Sequence, residues 1–194
     1  MIKSVCIYCG SSDKIHPQYL EAARQIGAAV ARRGWVLWYG AGGTGLMGAV
    51  ADGALQADGQ VIGVMPDLFY TPSLAHFNLT RLEVVESMHQ RKARLAEQAD
   101  AFIALPGGYG TLEEFFEILT WAQIGLHSKP VGLLNTACYF DPLLAMIDKA
   151  QQEGFIYGEH RLLFAHAEQP EALLDALANH QAPPGLERWL TRQD

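Results

Sequence analysis

Apolar residues follow two rhythms along this chain. Short continuous runs suit strands at 3–9, 35–39, 61–65, 82–86, 101–105, 130–134 and 162–165. Between them, apolar positions repeat every three or four residues, which predicts helices at 17–33, 45–57, 88–98, 141–152 and 170–177, with one more, along which Leu112, Phe115, Phe116 and Leu119 recur, opened by the 106–114 stretch. The boundaries carry stop and start chemistry. Pro17 suits the first turn of a helix, Gly34 the position just past its end, and Ser87-x-x-Gln90 has the spacing of a capping box. Thr111-x-x-Glu114 has the same spacing. Pro183-Pro184-Gly185 ends the last helix before a short polar tail.

Strands that alternate with helices predict one α/β domain over 1–194. The expected form is a Rossmann-like three-layer sandwich, a mostly parallel sheet with helices on both faces. Right-handed crossovers collect the strand C-terminal ends on one edge, where such sheets bind ligands. Three glycine-containing turns, at residue 10, 40–45 and 107–110, fall on that edge. The segment 66–81 has no clear period and is long for a connection in such a domain, as binding loops and lids are.

Composition narrows the classes. The 194 residues are 49% hydrophobic and 18% charged, which excludes a disordered chain, and no apolar run reaches membrane-spanning length. The first residues lead directly into a strand pattern, without the features of a signal peptide, so the expected location is the cytoplasm. A net charge of −7 argues against nucleic acid as a partner and leaves small anionic ligands open. Cys6 and Cys9 lie three apart on a predicted strand and point to opposite faces, so they cannot share a metal. The seven histidines are not clustered, and neither metal nor organic cofactor is expected.

Pro106-Gly107-Gly108-Tyr109-Gly110-Thr111-Leu112-Glu113-Glu114 carries the clearest chemistry. Its glycines, between a strand and a helix, let backbone N–H groups approach an anion, and the helix dipole adds positive potential at the same place. Two carboxylates beside such a site need explaining. Glu114 could cap the helix; Glu113, Glu117 and Thr120 share one helix face that could line a pocket or face water. Phe115 and Phe116 read as core. Arg91 and Lys92 stand in the first turns of their helix, where the dipole opposes cations. Gly40-x-Gly42-x-x-Gly45 formally matches a dinucleotide fingerprint, with Asp67 near the end of the next strand. Following the second strand, it reads better as a tight turn forming one pocket wall.

Gly42-Gly43-Thr44-Gly45-Leu46-Met47-Gly48, Met88-His89-Gln90-Arg91-Lys92 and the 106–114 stretch together resemble the LOG ("Lonely guy") family, cytokinin riboside 5′-monophosphate phosphoribohydrolases long labelled lysine decarboxylases. The likeness runs from Cys9-Gly10-Ser11-Ser12 to at least Ile147. It implies a homodimer that hydrolyses the N-glycosidic bond of a purine nucleoside 5′-monophosphate, AMP included. The family's catalytic arginine and glutamate fall on Arg91 and Glu114, with Glu113 adjacent. Positions that contact the nucleotide fall on Lys92, Gly107, Gly108, Tyr109, Gly110, Thr111, Glu113 and Thr120. Ser11, Ser12, Gly42, Gly43 and Met88 complete the expected binding set. Where the family tends to carry a glutamate before Ala75-His76, this chain has Ser73-Leu74. The helix face with Trp121 and Ile124 is a candidate dimer contact. Two other classes stay open: a nucleotide-binding or carrier module without catalysis, and an NAD-dependent oxidoreductase.

Overall fold

Strand β1 (Ser4–Tyr8) alternates its side chains between two hydrophobic cores. Val5 and Ile7 face one, with α1 (Pro17–Arg32), α2 (Gly45–Gln56) and α6 (Pro170–Ala178). Cys6 and Tyr8 face the other, with α3 (Met88–Gln98), α4 (Tyr109–Gln123) and α5 (Asp141–Gln152). The described residues of this computed structural model, 1–184 and 186, thus form three layers. Val5 and Ile7 are essentially solvent-free, each worth about 1.5–3 kcal/mol of transfer from water.

Among the described residues the sheet holds seven strands in the order β4-β3-β2-β1-β5-β6-β7, every neighbouring pair parallel. The other strands are β2 (Val36–Tyr39), β3 (Val61–Pro66), β4 (Arg81–Val85), β5 (Ala101–Ala104), β6 (Val131–Leu134) and β7 (Phe164–Ala167). The chain winds outward from β1 to β4, and then α3 carries it back so that β5 pairs on the other side of β1. Beyond the C-terminal ends of β1 and β5 the winding direction reverses, leaving the crevice where open α/β sheets take ligands.

Two local expectations are corrected. α4 begins at Tyr109 with Gly108 as its N-cap and no side-chain cap, so Thr111 and Glu114 lie inside the helix and form no capping box. β7 sits two residues later than the apolar run suggested, because a 3-10 turn at Gly158–Leu162 takes up the start of that run. Trp121 and Ile124 are both partly exposed, with Trp121 packed against the α3–α5 core. The Ser87–Gln90 cap does form. Ser87 Oγ accepts from Gln90 N at 3.2 Å, while the Gln90 side chain reaches one residue further back, to Glu86 N at 2.9 Å. The tail after Pro184, Leu186 apart, lies outside the described residues.

Candidate active site

The loops after β1, β2 and β5 emerge side by side, because Ile7 is level with Tyr39 and Tyr8 with Ala104. The β1–β5 ladder continues beyond the strands: Leu105 N donates to Tyr8 O at 2.9 Å and Gly10 N to Pro106 O at 3.1 Å. This zips the Gly10 turn to the start of the 106–110 turn. Above it lies a cavity of about 390 Å³, within the usual range for a small-molecule site. Its walls are Tyr8, Cys9, Gly10 and Ser11 from the first turn, Gly40 and Met47 from the second, and Gly108, Gly110, Thr111 and Glu114 from α4. Met88 and Arg91 enter from α3, and Phe69 covers it from the 66–81 loop.

The glycines differ in purpose. A Cβ at Gly107 would lie 2.1 Å from Thr111 Oγ1, so Gly107 is required by the chain's own packing. At Gly108 and Gly110 a Cβ would meet nothing within 4 Å. Their missing side chains instead leave room at the end of α4, where the first-turn N–H groups lack intrahelical acceptors. The turn was built for something to approach.

Among the described residues, Arg91 and Glu114 are the only cavity-lining ones with formal charge. Met88 and Arg91 are three apart on α3, and Gly110, Thr111 and Glu114 occupy one face of α4, so helical periodicity alone brings each set to the cavity. Arg91 Nη2 donates to Glu114 Oε1 across the two helices, with both side chains at least 85% covered, at 15% and 10% exposure. Gly40 makes this possible, since a Cβ there would come within 3.2 Å of Arg91 Nη1. Burial holds the Glu114 carboxyl above the ordinary carboxylate range, against the pull of the Arg91 charge. Arg91 Nε is buried and has no hydrogen-bond partner among the described residues. Burial, with the Glu114 charge second, also pushes the Cys9 thiol well above its usual value, which makes it a poor nucleophile.

Lys92 and Glu113 stand one residue along each helix, roughly 100° round, and face elsewhere. Lys92 Nζ bridges Glu113 and Glu117, the latter at 2.9 Å, outside the cavity. Thr120 is further removed: it borders a small separate cavity with Phe116, Gln123 and His160. Phe115 is core as expected, whereas Phe116 is 40% exposed. Tyr109 projects almost wholly into solvent. Gly42 and Gly43 support the site from behind, packed against Met47 and Ala75. Asp67 accepts from Leu68 N at 2.7 Å and does not line the cavity. Ser12 belongs to a second cavity of about 360 Å³, which shares Gly10, Ser11 and Gly108 with the first.

The turn from Gly40, expected as a pocket wall, does line the cavity with Met47 behind it, whereas Phe69, Tyr8 and Cys9 were not expected there. Loop length did flag the segment that carries Phe69. That loop is fixed to the second turn by Gly43 N to Leu74 O at 2.8 Å and His76 N to Ala41 O at 2.9 Å, and to α2 by His76 Nε2 and Asp52 Oδ1 at 3.0 Å.

Residues 47–177 match the protein family described as "Possible lysine decarboxylase". The chain is 45% identical over 178 residues to a probable cytokinin riboside 5′-monophosphate phosphoribohydrolase of Oryza sativa subsp. japonica, LOGL3, covering 92% of this chain and 84% of the relative. To the cytokinin riboside 5′-monophosphate phosphoribohydrolase LOG7 of Arabidopsis thaliana it is 45% identical over 179 residues, covering 92% and 82%. The chain belongs to the LOG family. Among solved structures, the fold of this LOG chain is similar to the molybdenum cofactor binding protein of Rippkaea orientalis, with a TM-score of 0.70 at 24% identity over 92% of this chain and 96% of that one. It is likewise similar to the molybdenum cofactor carrier protein of Chlamydomonas reinhardtii, with a TM-score of 0.70 at 20% identity over 92% and 97%. At such identities the likeness concerns the LOG fold, not its chemistry.

Proposed function

We propose that this chain hydrolyses the N-glycosidic bond of purine riboside 5′-monophosphates, cytokinin ribosides and AMP among them, releasing free base and ribose 5-phosphate. The observation that carries the reading is the buried Arg91–Glu114 pair facing an open glycine cradle in one cavity. The α4 N-terminus, with Gly108 to Thr111 and Ser11, holds the 5′-phosphate, and that remote binding positions the ribose. As the bond to the base lengthens, positive charge develops at the anomeric carbon. Ionised Glu114 stabilises that charge and takes a proton from the attacking water. The water oxygen bonds to the sugar carbon, the bonding pair leaves with the base, and the base takes up the proton that Glu114 accepted, which restores the carboxylate. Arg91 orients the nucleotide and offsets negative charge on the departing ring. Phe69, Met47 and Met88 offer the base apolar contact.

A pure carrier gains nothing from a buried carboxylate beside a phosphate cradle, because like charge costs affinity there. The glycines of 40–45 pack against the chain's own Met47, Ala75 and Ser11, so they supply no independent case for a dinucleotide. The reading includes a cytoplasmic homodimer that needs no metal or organic cofactor. Exposed Leu68, Tyr70 and Phe77 on the 66–81 loop support burial against a second copy. The test is incubation with AMP and with isopentenyladenosine monophosphate, followed by chromatography for free base. Silence on every purine monophosphate would overturn the reading.

A further inference from the structure

The Gly107–Gly108 peptide forms a ridge between the two cavities. Tyr139 reaches it from the far side, its phenol donating to the Gly107 carbonyl at 2.6 Å. A planar trans peptide points its C=O and its N–H in opposite directions, and no cis bond occurs among the described residues. A carbonyl held toward Tyr139 and the second cavity therefore aims the Gly108 N–H back at the cavity of Arg91 and Glu114. One hydroxyl on one side of the ridge sets the direction of a donor on the other.

The turn that delivers the phenol is strained. Ala137 and Cys138 are consecutive left-handed residues, at φ 52° and 59°, and neither is a glycine. Buried Asn135 holds them there. Its Oδ1 accepts from Phe140 N at 2.7 Å and its Nδ2 donates to Asp141 Oδ1 at 2.7 Å. The Tyr139 ring is braced edge-on by Tyr19 and Phe140, at 6.0 and 5.0 Å between centroids. Such over-determined strain in a loop that touches a binding site points to a functional placement. Ending β6 and starting α5 does not require it.

We propose that Tyr139 is a positioning residue of the phosphate cradle, acting through the Gly107–Gly108 peptide to aim the Gly108 N–H at the nucleotide's phosphate. This rests on the functional reading above. Tyr139 touches no reacting atom, so its removal weakens the grip on phosphate and leaves the chemistry in place.

The test is Tyr139→Phe in the full chain, which keeps the ring contacts and deletes only the donor. AMP affinity by calorimetry is expected to fall about tenfold, the size of one hydrogen bond that serves a charged group, while adenosine affinity stays within about twofold. The shift of the Gly108 amide resonance on adding inorganic phosphate, present in the parent chain, is expected to shrink. Unchanged AMP affinity would overturn the proposal. So would a drop in melting temperature with AMP and adenosine weakened alike, the signature of a merely structural role. If the parent chain cleaves no purine monophosphate, the functional reading fails by itself, and the phosphate titration still decides the role of Tyr139.

Discussion

Arg91 on α3 and Glu114 on α4, 23 residues apart in sequence, meet as an ion pair with both side chains largely covered. Their neighbours Lys92 and Glu113 pair as well, but on the outer side of the same helices. Two adjacent positions on each helix thus produce two pairs of different use, one lining the cavity and one outside it.

The first prediction separates the two carboxylates. Glu114→Gln should retain AMP binding and lose turnover by about 10²–10⁴-fold, the usual range for a positioned proton acceptor. Glu113→Gln should stay within a few-fold of the parent, because that carboxylate, 55% exposed, faces Lys92. Steady-state kinetics with AMP and equilibrium binding check both. A dead Glu113 variant beside an active Glu114 variant would reverse the assignment.

The pH dependence follows from the burial of Glu114. Its carboxyl is held above the usual carboxylate value, and the base must be ionised. The acid limb of kcat/KM should therefore lie above an unperturbed glutamate's ~4.3. For stability, the fold favours the protonated form, so this group's contribution is full below the unfolded pKa and is lost as pH rises through the raised folded one. Arg91→Met removes the largest downward pull and should move the Glu114 titration, followed by carbon NMR of its carboxyl, further up.

The glycines of the 107–110 turn should respond in opposite ways. Gly107→Ala drives a methyl into Thr111 Oγ1 and should cost about 1–3 kcal/mol of stability, read by chemical denaturation. Gly110→Ala has open space and a helical position, so it should stabilise by about 0.5–1 kcal/mol while raising KM for AMP. A Gly110 variant with unchanged KM would place the phosphate elsewhere.

Phe69 is 38% exposed, so its truncation should hardly touch stability. If its ring covers the base, Phe69→Ala should raise KM several-fold for AMP and leave that for ribose 5-phosphate as an inhibitor unchanged. Equal losses for both ligands would make the loop a general lid.

The rhythm of apolar residues was enough to place the seven strands and five of the six helices among the described residues to within about two residues, and to mark the stretch that opens α4, because burial on two sheet faces imposes that rhythm locally. The three glycine turns, the Arg91-Lys92 motif and the paired glutamates were equally legible, since each is a run of neighbours in the chain. Strand order was not. It depends on which side of β1 the strand after α3 joins, a long-range pairing with no local mark. Which of Glu113 and Glu114 lines the cavity depended on the register of α4 against α3, and Thr111-x-x-Glu114 misled because capping spacing also occurs one turn inside a helix. Thr120 shares a helix with the cavity residues but lies two turns further along and opens onto a different cavity. Phe69 and Tyr139 reach the site from loops 66–81 and 135–140, brought there by hydrogen bonds between distant segments. Local sequence determined the pieces and the chemistry available; only tertiary packing decided which side chains share one cavity, because that depends on pairings between segments far apart in the chain.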